Sequence, residues 1–317
     1  MKIQKQQAMR TVLYGLAPLC LAAIYFFGWR FLAVLAVVGI AGLASEAIMA
    51  KRYGYKITES VFVSCTLFAL SLPPTIPLWI AALGIAFGII FAKMIFGGFG
   101  KNIFNPAITA RAFVYISFGF PLTGKFIGNA TDLSWFPAGF GAWISKADSV
   151  SSATPLVTHD VPVLRLLFGL TSGSFGETCA VLILLGGLYI IYKKAANWRI
   201  VAAGLASFLL LQAIFWAGGI PIATSNGLIR PDNPLVAVLS GSFLLAAFFM
   251  ITDPVSASQS TNTGRWIYGL MFGLLTVLIR TFSTWVEGTT FAILLCNMFA
   301  PLLDTLLKGA KKKKGGA

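Results

Sequence analysis

FLAVLAVVGIAGLASEAIMA, residues 31–50, is a nearly charge-free apolar run of a length that decides the fold. As a helix it rises about 30 Å, the thickness of a bilayer's hydrocarbon core. A similar run at 11–29 stands directly before it, so that first run reads as a retained helix and not as a cleaved signal peptide. Further runs predict helices at 57–72, 76–96, 105–120, 163–192 (broken near Gly173), 198–217, 234–251, 264–282 and 287–307. Composition agrees with this pattern. Hydrophobic residues make up 57% of the 317 and charged residues 11%, whereas soluble domains carry about 25% charged residues. Most of the surface must therefore face lipid.

The net charge of +14 lies between the runs and at the ends, with no basic-aromatic interleaving, so it excludes nucleic acid as a partner and carries topology instead. With the N-terminus inside, the inner segments hold Lys2, Lys5, Arg10, Lys51, Arg52, Lys56, Lys93, Lys101, Lys193, Lys194, Arg199, Arg265 and the lysines of the tail. The outer turns hold only Arg30, Lys125, Lys146, Arg165, Arg230 and Arg280. Both termini are thus expected in the cytoplasm.

One connection is long. Residues 121–162 form a polar loop on the outer face, with Trp135, Phe140 and Trp143 suited to the membrane interface. The expected organisation is a single transmembrane domain over 1–317: a five-helix half (1–120), the external loop (121–162), a second five-helix half (163–307) and a basic cytoplasmic tail (308–317). The halves share a faint pattern. Pro73-Pro74 and Trp79 precede Gly84, Gly88 and Lys93; Asp253-Pro254 and Trp266 precede Gly269, Gly273 and Arg280. Five helices per half would invert one half relative to the other.

Cys20, Cys65, Cys179 and Cys296 are isolated within apolar stretches, so no metal or cluster is expected to be held by this chain. Nor is there a strand-Gly-rich-helix unit to take a hydride from a nicotinamide. The external loop presents Asp148-Ser149-Val150-Ser151-Ser152-Ala153-Thr154-Pro155. Pro155 favours an extended Thr154 with an accessible hydroxyl. Composition alone favours an ordinary polar loop with Ser/Thr turns.

The segment resembles the acceptor motif of flavin transferases, with Asp148, Ser151, Ser152 and Ala153 as motif residues and Thr154 as acceptor; glycine is commoner where Ser152 stands. Gly97-Gly98-Phe99-Gly100-Lys101-Asn102 through Asn105-Pro106-Ala107, Gly176-Glu177-Thr178, Thr252-Asp253-Pro254-Val255, and Glu287-Gly288 through Asn297 to Asp304 follow in order. Together they are similar to the NqrB/RnfD family of membrane flavoproteins, which comprises RnfD of the Rnf complex and NqrB of the sodium-translocating NADH:quinone reductase. The resemblance runs from about residue 10 to 307. It implies an all-α fold of about ten helices in two inverted five-helix repeats, with FMN in phosphodiester linkage to Thr154 and a second, non-covalent flavin, riboflavin. It also implies electron transfer coupled to Na⁺ or H⁺ movement in a bacterial inner membrane, within a complex whose reaction this chain does not complete. Partner subunits and a flavin transferase follow. Tyr25-Phe26-Phe27-Gly28-Trp29 and Asn102 to Pro106 lean toward RnfD, the ferredoxin:NAD⁺ oxidoreductase branch; Asn262 to Trp266 leans the other way.

The Gly97–Gly98 break, with Lys101, Asn102, Asn105 and Arg111 nearby, is read either as a helix terminus or as a contact for the second flavin or a partner. Glu177, Asp253, Glu287 and Asp304 are ionisable groups at or near membrane depth, candidates for a cation path or for helix capping. A solute channel of urea-channel type is the rival reading, and the Thr154 loop separates the two.

Overall fold

The computed structural model describes residues 3–119, 143, 161–224, 227–258, 260–283 and 288–314. The predicted acceptor segment 148–154 and Glu287 lie outside them. Five described helices are long and apolar enough to cross a membrane. These are α1 (Gln7–Phe27), α2 (Arg30–Tyr53), α8 (Trp198–Gly218), α11 (Asn262–Phe282) and α12 (Gly288–Lys314). Between them run shorter apolar pieces: α3 (Ser60–Leu70), α4 (Leu78–Phe87), α5 (Pro106–Ser117), α6 (Val163–Phe168) and α7 (Ala180–Tyr192). The remaining two are α9 (Pro234–Leu239) and α10 (Phe243–Leu245). The fold is that of a multi-pass membrane protein, and large apolar side chains such as Tyr14, Leu21, Ile40, Ile48, Leu210 and Ile214 stand exposed on it.

Local chemistry sets the boundaries. α2 ends on Gly54 in the left-handed conformation, with Lys51 and Arg52 in its last turn where the helix dipole favours cations. Asn105, Asn197, Asn233 and Thr261 cap α5, α8, α9 and α11 through side-chain oxygens that accept from backbone N–H groups. Prolines stand at the first position of α5 and α9, where a missing N–H costs nothing.

Four features depart from the sequence reading. The predicted helix 234–251 is cut at Ser240–Ser242, where Gly241 has φ +68°. The break in 163–192 is longer than a kink, running from Gly169 to Cys179. The tail is no separate unit as far as Lys314, because α12 continues through it. A short antiparallel hairpin, β1 (Ile222–Thr224) with β2 (Gly227–Ile229), interrupts the all-helical pattern.

In the first half α2 packs on α3 and α4, α4 on α5, and α1 on α3; in the second, α8 packs on α9 and α11, α11 on α12, and α6 on α9. The halves join through α1 against α7 and α5 against α12. α8 and α11 approach closely. A Cβ on Gly273 would lie 2.3 Å from the Gly204 carbonyl oxygen, so only glycine allows this approach.

Two helices widen into π turns. α4 passes into a π-helical turn at Gly88–Met94, and α10 into another at Ala246–Met250. A π turn inserts one residue into the helical register and often marks a functional site. Here each leads into a non-helical segment, Ile95–Phe104 after the first and Ile251–Ser258 after the second.

Candidate functional site

The two non-helical segments meet over one cavity. It is lined by Lys93, Phe99, Asn102 and Asn105 from the first half and by Phe249, Thr252 and Asp253 from the second, with Met9 and Val12 of α1 at its side. Its enclosed part is about 50 Å³, room for water-sized groups, within about 550 Å³ that includes the open mouth. Such a shape admits the edge of a ring system, not the whole of one.

Asn297 of α12 locks the segments together. Its Oδ1 accepts from the Asn105 N–H at 3.1 Å. Its Nδ2 donates to the Ser256 carbonyl at 3.2 Å and the Tyr268 hydroxyl at 2.8 Å. Asn105 completes the tie by donating its own Nδ2 to the Met250 carbonyl at 3.2 Å while its Oδ1 accepts from the Ala107 N–H. Asn105 is therefore engaged within the protein through both its amide nitrogen and its amide oxygen. Asn102 is not: its Nδ2 donates to the Phe104 carbonyl, but its Oδ1 is buried with no partner among the described residues. A buried acceptor left open beside a cavity costs free energy unless a ligand or water donates to it.

A second polar cluster borders the same cavity. Lys93, 2% exposed, donates from Nζ to Glu46 Oε2 at 2.6 Å and to Thr58 Oγ1 and Ser60 Oγ at 2.9 Å each. All three ammonium protons are thus placed. Glu46, 0% exposed, accepts from the Thr58 N–H at 3.0 Å and its hydroxyl at 3.1 Å through Oε1. The π turn brings Lys93 inward here. It also brings Gly88 so close to α5 that a Cβ would lie 2.3 Å from the Pro106 carbonyl oxygen. Lys93, counted from sequence as an inner-face charge, is a buried one, and Glu46 is a site residue that sequence reasoning missed. The available signal was a lone carboxylate in the apolar run 31–50.

The N-terminal segment closes over the region. Gln4 pairs with Thr58 in a single parallel bridge, the Gln6 N–H donates to Glu59 at 2.6 Å, and Arg10 binds both Glu59 carboxylate oxygens. That arginine, followed by the Gln6 hydrogen bond, holds the Glu59 carboxyl below its ordinary range.

The other predicted residues separate. The Gly97 and Gly98 N–H groups are consumed closing the preceding helix, on the Met94 and Lys93 carbonyls, so they offer no donors to a ligand. Lys101 is exposed and packs over Gly97. Arg111 is buried on α5 and does not line the cavity. Asp253 lines the cavity and is held by the Ser256 hydroxyl at 2.6 Å. Asp304 lies apart, near the end of α12, accepting from Ser258 and Ser260 at 2.5 Å each. Glu177 sits in the α6–α7 break, where Phe175 and Gly176 donate to the Leu72 and Leu70 carbonyls. Its Oε1 accepts from the Ser174 N–H at 2.7 Å, and its Oε2 is buried with no partner among the described residues. Among the described residues, no cluster of His, Cys, Asp and Glu could hold a metal ion.

This arrangement defines a class: a polytopic membrane protein whose two halves present interrupted helices to a shared polar cavity. Known proteins place it more closely. Residues 1–313 match the family described as NQR2, RnfD, RnfE. Over 303 residues the chain is 39% identical to the NqrB component of the Na(+)-translocating NADH-quinone reductase of Pseudoalteromonas atlantica, covering 92% of this chain and 70% of that protein. The protein of the same name from Ectopseudomonas mendocina is 37% identical over 292 residues (90% and 68%), and that from Haemophilus influenzae (strain PittEE) 36% over 313 (94% and 70%). The chain belongs to the NQR2, RnfD, RnfE family. It is a membrane-embedded component of an oxidoreductase, incomplete as an enzyme on its own.

Proposed function

We propose that this chain is the flavin-bearing membrane component of a Na⁺-translocating NADH:quinone reductase. The observation that carries the reading is the likeness to NqrB relatives over nine-tenths or more of the chain. It replaces the lean toward RnfD. On this reading FMN is joined through its phosphate to Thr154, the acceptor in the motif beginning at Asp148. The loop lies on the outer face of a bacterial cytoplasmic membrane, with both termini inside.

Riboflavin is assigned to the cavity between the halves. The fit rests on Asn102, whose open Oδ1 suits the imide N–H of an isoalloxazine edge or a ribityl hydroxyl. Phe99, Phe249, Met9 and Val12 exclude water from that edge. When bound, a flavin supplies one-electron redox chemistry, and the protein supplies position and electrostatics. Electrons enter and leave through partner subunits. Glu177, Asp253, Glu287 and Asp304 are the carboxylates offered to a translocated cation.

The chain, co-produced with its flavin transferase and run on a denaturing gel, is expected to fluoresce under ultraviolet light, and a Thr154→Ala variant to stay dark. A dark wild-type chain would overturn the flavoprotein reading, and a fluorescent Thr154→Ala chain would overturn the acceptor assignment. Membranes that oxidise NADH with quinone select this complex; ferredoxin-dependent NAD⁺ reduction selects Rnf.

A further inference from the structure

A buried lysine and a half-buried arginine stand at matching positions along the chain. Lys93 follows Trp79 at the separation at which Arg280 follows Trp266. Lys93 reaches the start of α3, and Arg280 reaches the end of α9. Where α2 brings Glu46 to Lys93, α8 brings Phe208 to Arg280, its ring centroid 5.5 Å from the guanidinium carbon. One station pairs its cation with a carboxylate, and the other sets it against aromatic rings.

The Arg280 station is built on the interrupted helix. Breaking α9 from α10 at Ser240–Ser242 leaves carbonyl oxygens without helical partners. Half-helix ends of this kind coordinate mobile cations in membrane transporters. Here the guanidinium donates to the Ala237 carbonyl at 3.0 Å, the Ser240 carbonyl at 3.3 Å and the Thr289 hydroxyl at 3.4 Å. Phe208, Phe243 and Phe272, all fully buried, stack beside it with centroid separations of 4.0 and 5.3 Å. Arginine cannot give up its proton, so this positive charge is permanent.

We propose that Arg280 is a resident cation of the α9–α10 break, occupying the carbonyl site and closing that part of the chain to mobile cations. Its fixed charge repels an incoming ion, and its donors take the oxygens that would have replaced the ion's hydration shell. A cation taken up beside the inner cavity is then kept from passing through the α9–α10 break, and any path along the carboxylates of this half must bypass it. The proposal rests on the reading of the chain as part of a cation-translocating complex.

The complex, purified through this chain and reconstituted in liposomes, tests it with radioactive sodium. Substrate-driven uptake and passive leak without substrate are measured separately. Arg280→Lys is expected to leak as slowly as the unaltered complex. Arg280→Gln is expected to leak roughly tenfold faster or more. Ser240→Asp, which cancels the charge while keeping the guanidinium engaged, is expected to leak likewise and decides the matter if Arg280→Gln does not assemble. Leak at the unaltered rate in every assembled charge-cancelling variant overturns the proposal. Absence of driven uptake in the unaltered complex overturns the functional reading instead, and the leak comparison still judges Arg280.

Discussion

Removing one partner from the Glu46–Lys93 pair should destabilise the chain far more than removing both. Lys93→Met leaves the Glu46 carboxylate buried, with only the Thr58 N–H and hydroxyl to serve it. Glu46→Gln leaves the ammonium buried with two hydroxyls, those of Thr58 and Ser60. Stranding one member of a buried pair costs about 3–5 kcal/mol, whereas replacing the pair with neutral groups of similar volume is often near neutral. Each single variant should therefore lose about 3–5 kcal/mol, and the Glu46→Gln/Lys93→Met double variant less than either. At roughly 2–4 °C per kcal/mol, each single variant melts roughly 6–20 °C lower. Thermal unfolding in one detergent, followed by tryptophan emission, gives the four corners of the cycle. Single variants melting within about 2 °C of the unaltered chain, or a double variant equal to their sum, would refute the coupling. Either result would mean that water reaches the pair in the folded protein.

Three further outcomes follow from the geometry. Gly88→Ala drives a methyl into the Pro106 carbonyl and should cost about 1–3 kcal/mol, while Gly39→Ala, with open space around it, should be neutral or stabilising by up to about 1 kcal/mol; equal melting temperatures would contradict the contact. Asn297→Leu strands the Asn105 N–H and the Ser256 carbonyl, at about 1–3 kcal/mol for each buried group, and should release non-covalent flavin from the purified complex, with unchanged content speaking against the tie. Because its folded-state value is depressed, Glu59 stabilises the N-terminal clasp above its ordinary value near 4.5, and that contribution is lost as pH falls through the lowered value; hydrogen exchange at Gln4 and Gln6 should quicken there in the unaltered chain and be fast already at neutral pH in Arg10→Gln.

The helices were legible because apolar runs of membrane length are a strong, local signal. Their interruptions were legible only where turn residues accumulate, as in Leu170 to Thr178. The cut at Ser240–Ser242 escaped because Gly241 and two serines interrupt an otherwise continuous apolar stretch, and serines are common in packed membrane helices. The cavity's polar residues were partly visible. Asn102 and Asp253 belong to segments rich in turn chemistry, but nothing local says that Asn105 is spent on Met250 and Asn297. Glu46 and Lys93 are 47 residues apart, and a pairing at that range is written in tertiary packing alone. Counting Lys93 as an inner-face charge was the natural error, because only the π turn carries it inward.

That separation has a consequence for biosynthesis. α2 is made and handed to the bilayer before Lys93 exists, so Glu46 first enters the membrane without its counter-ion. A charged group in a lone membrane helix costs up to about 3 kcal/mol on insertion scales, which the apolar remainder of α2 outweighs. The carboxylate must enter with water about it, and it gains its counter-ion only when α4 docks. The order of the helices along the chain is thus also a schedule, in which an early segment carries an unmet demand that a later one arrives to satisfy.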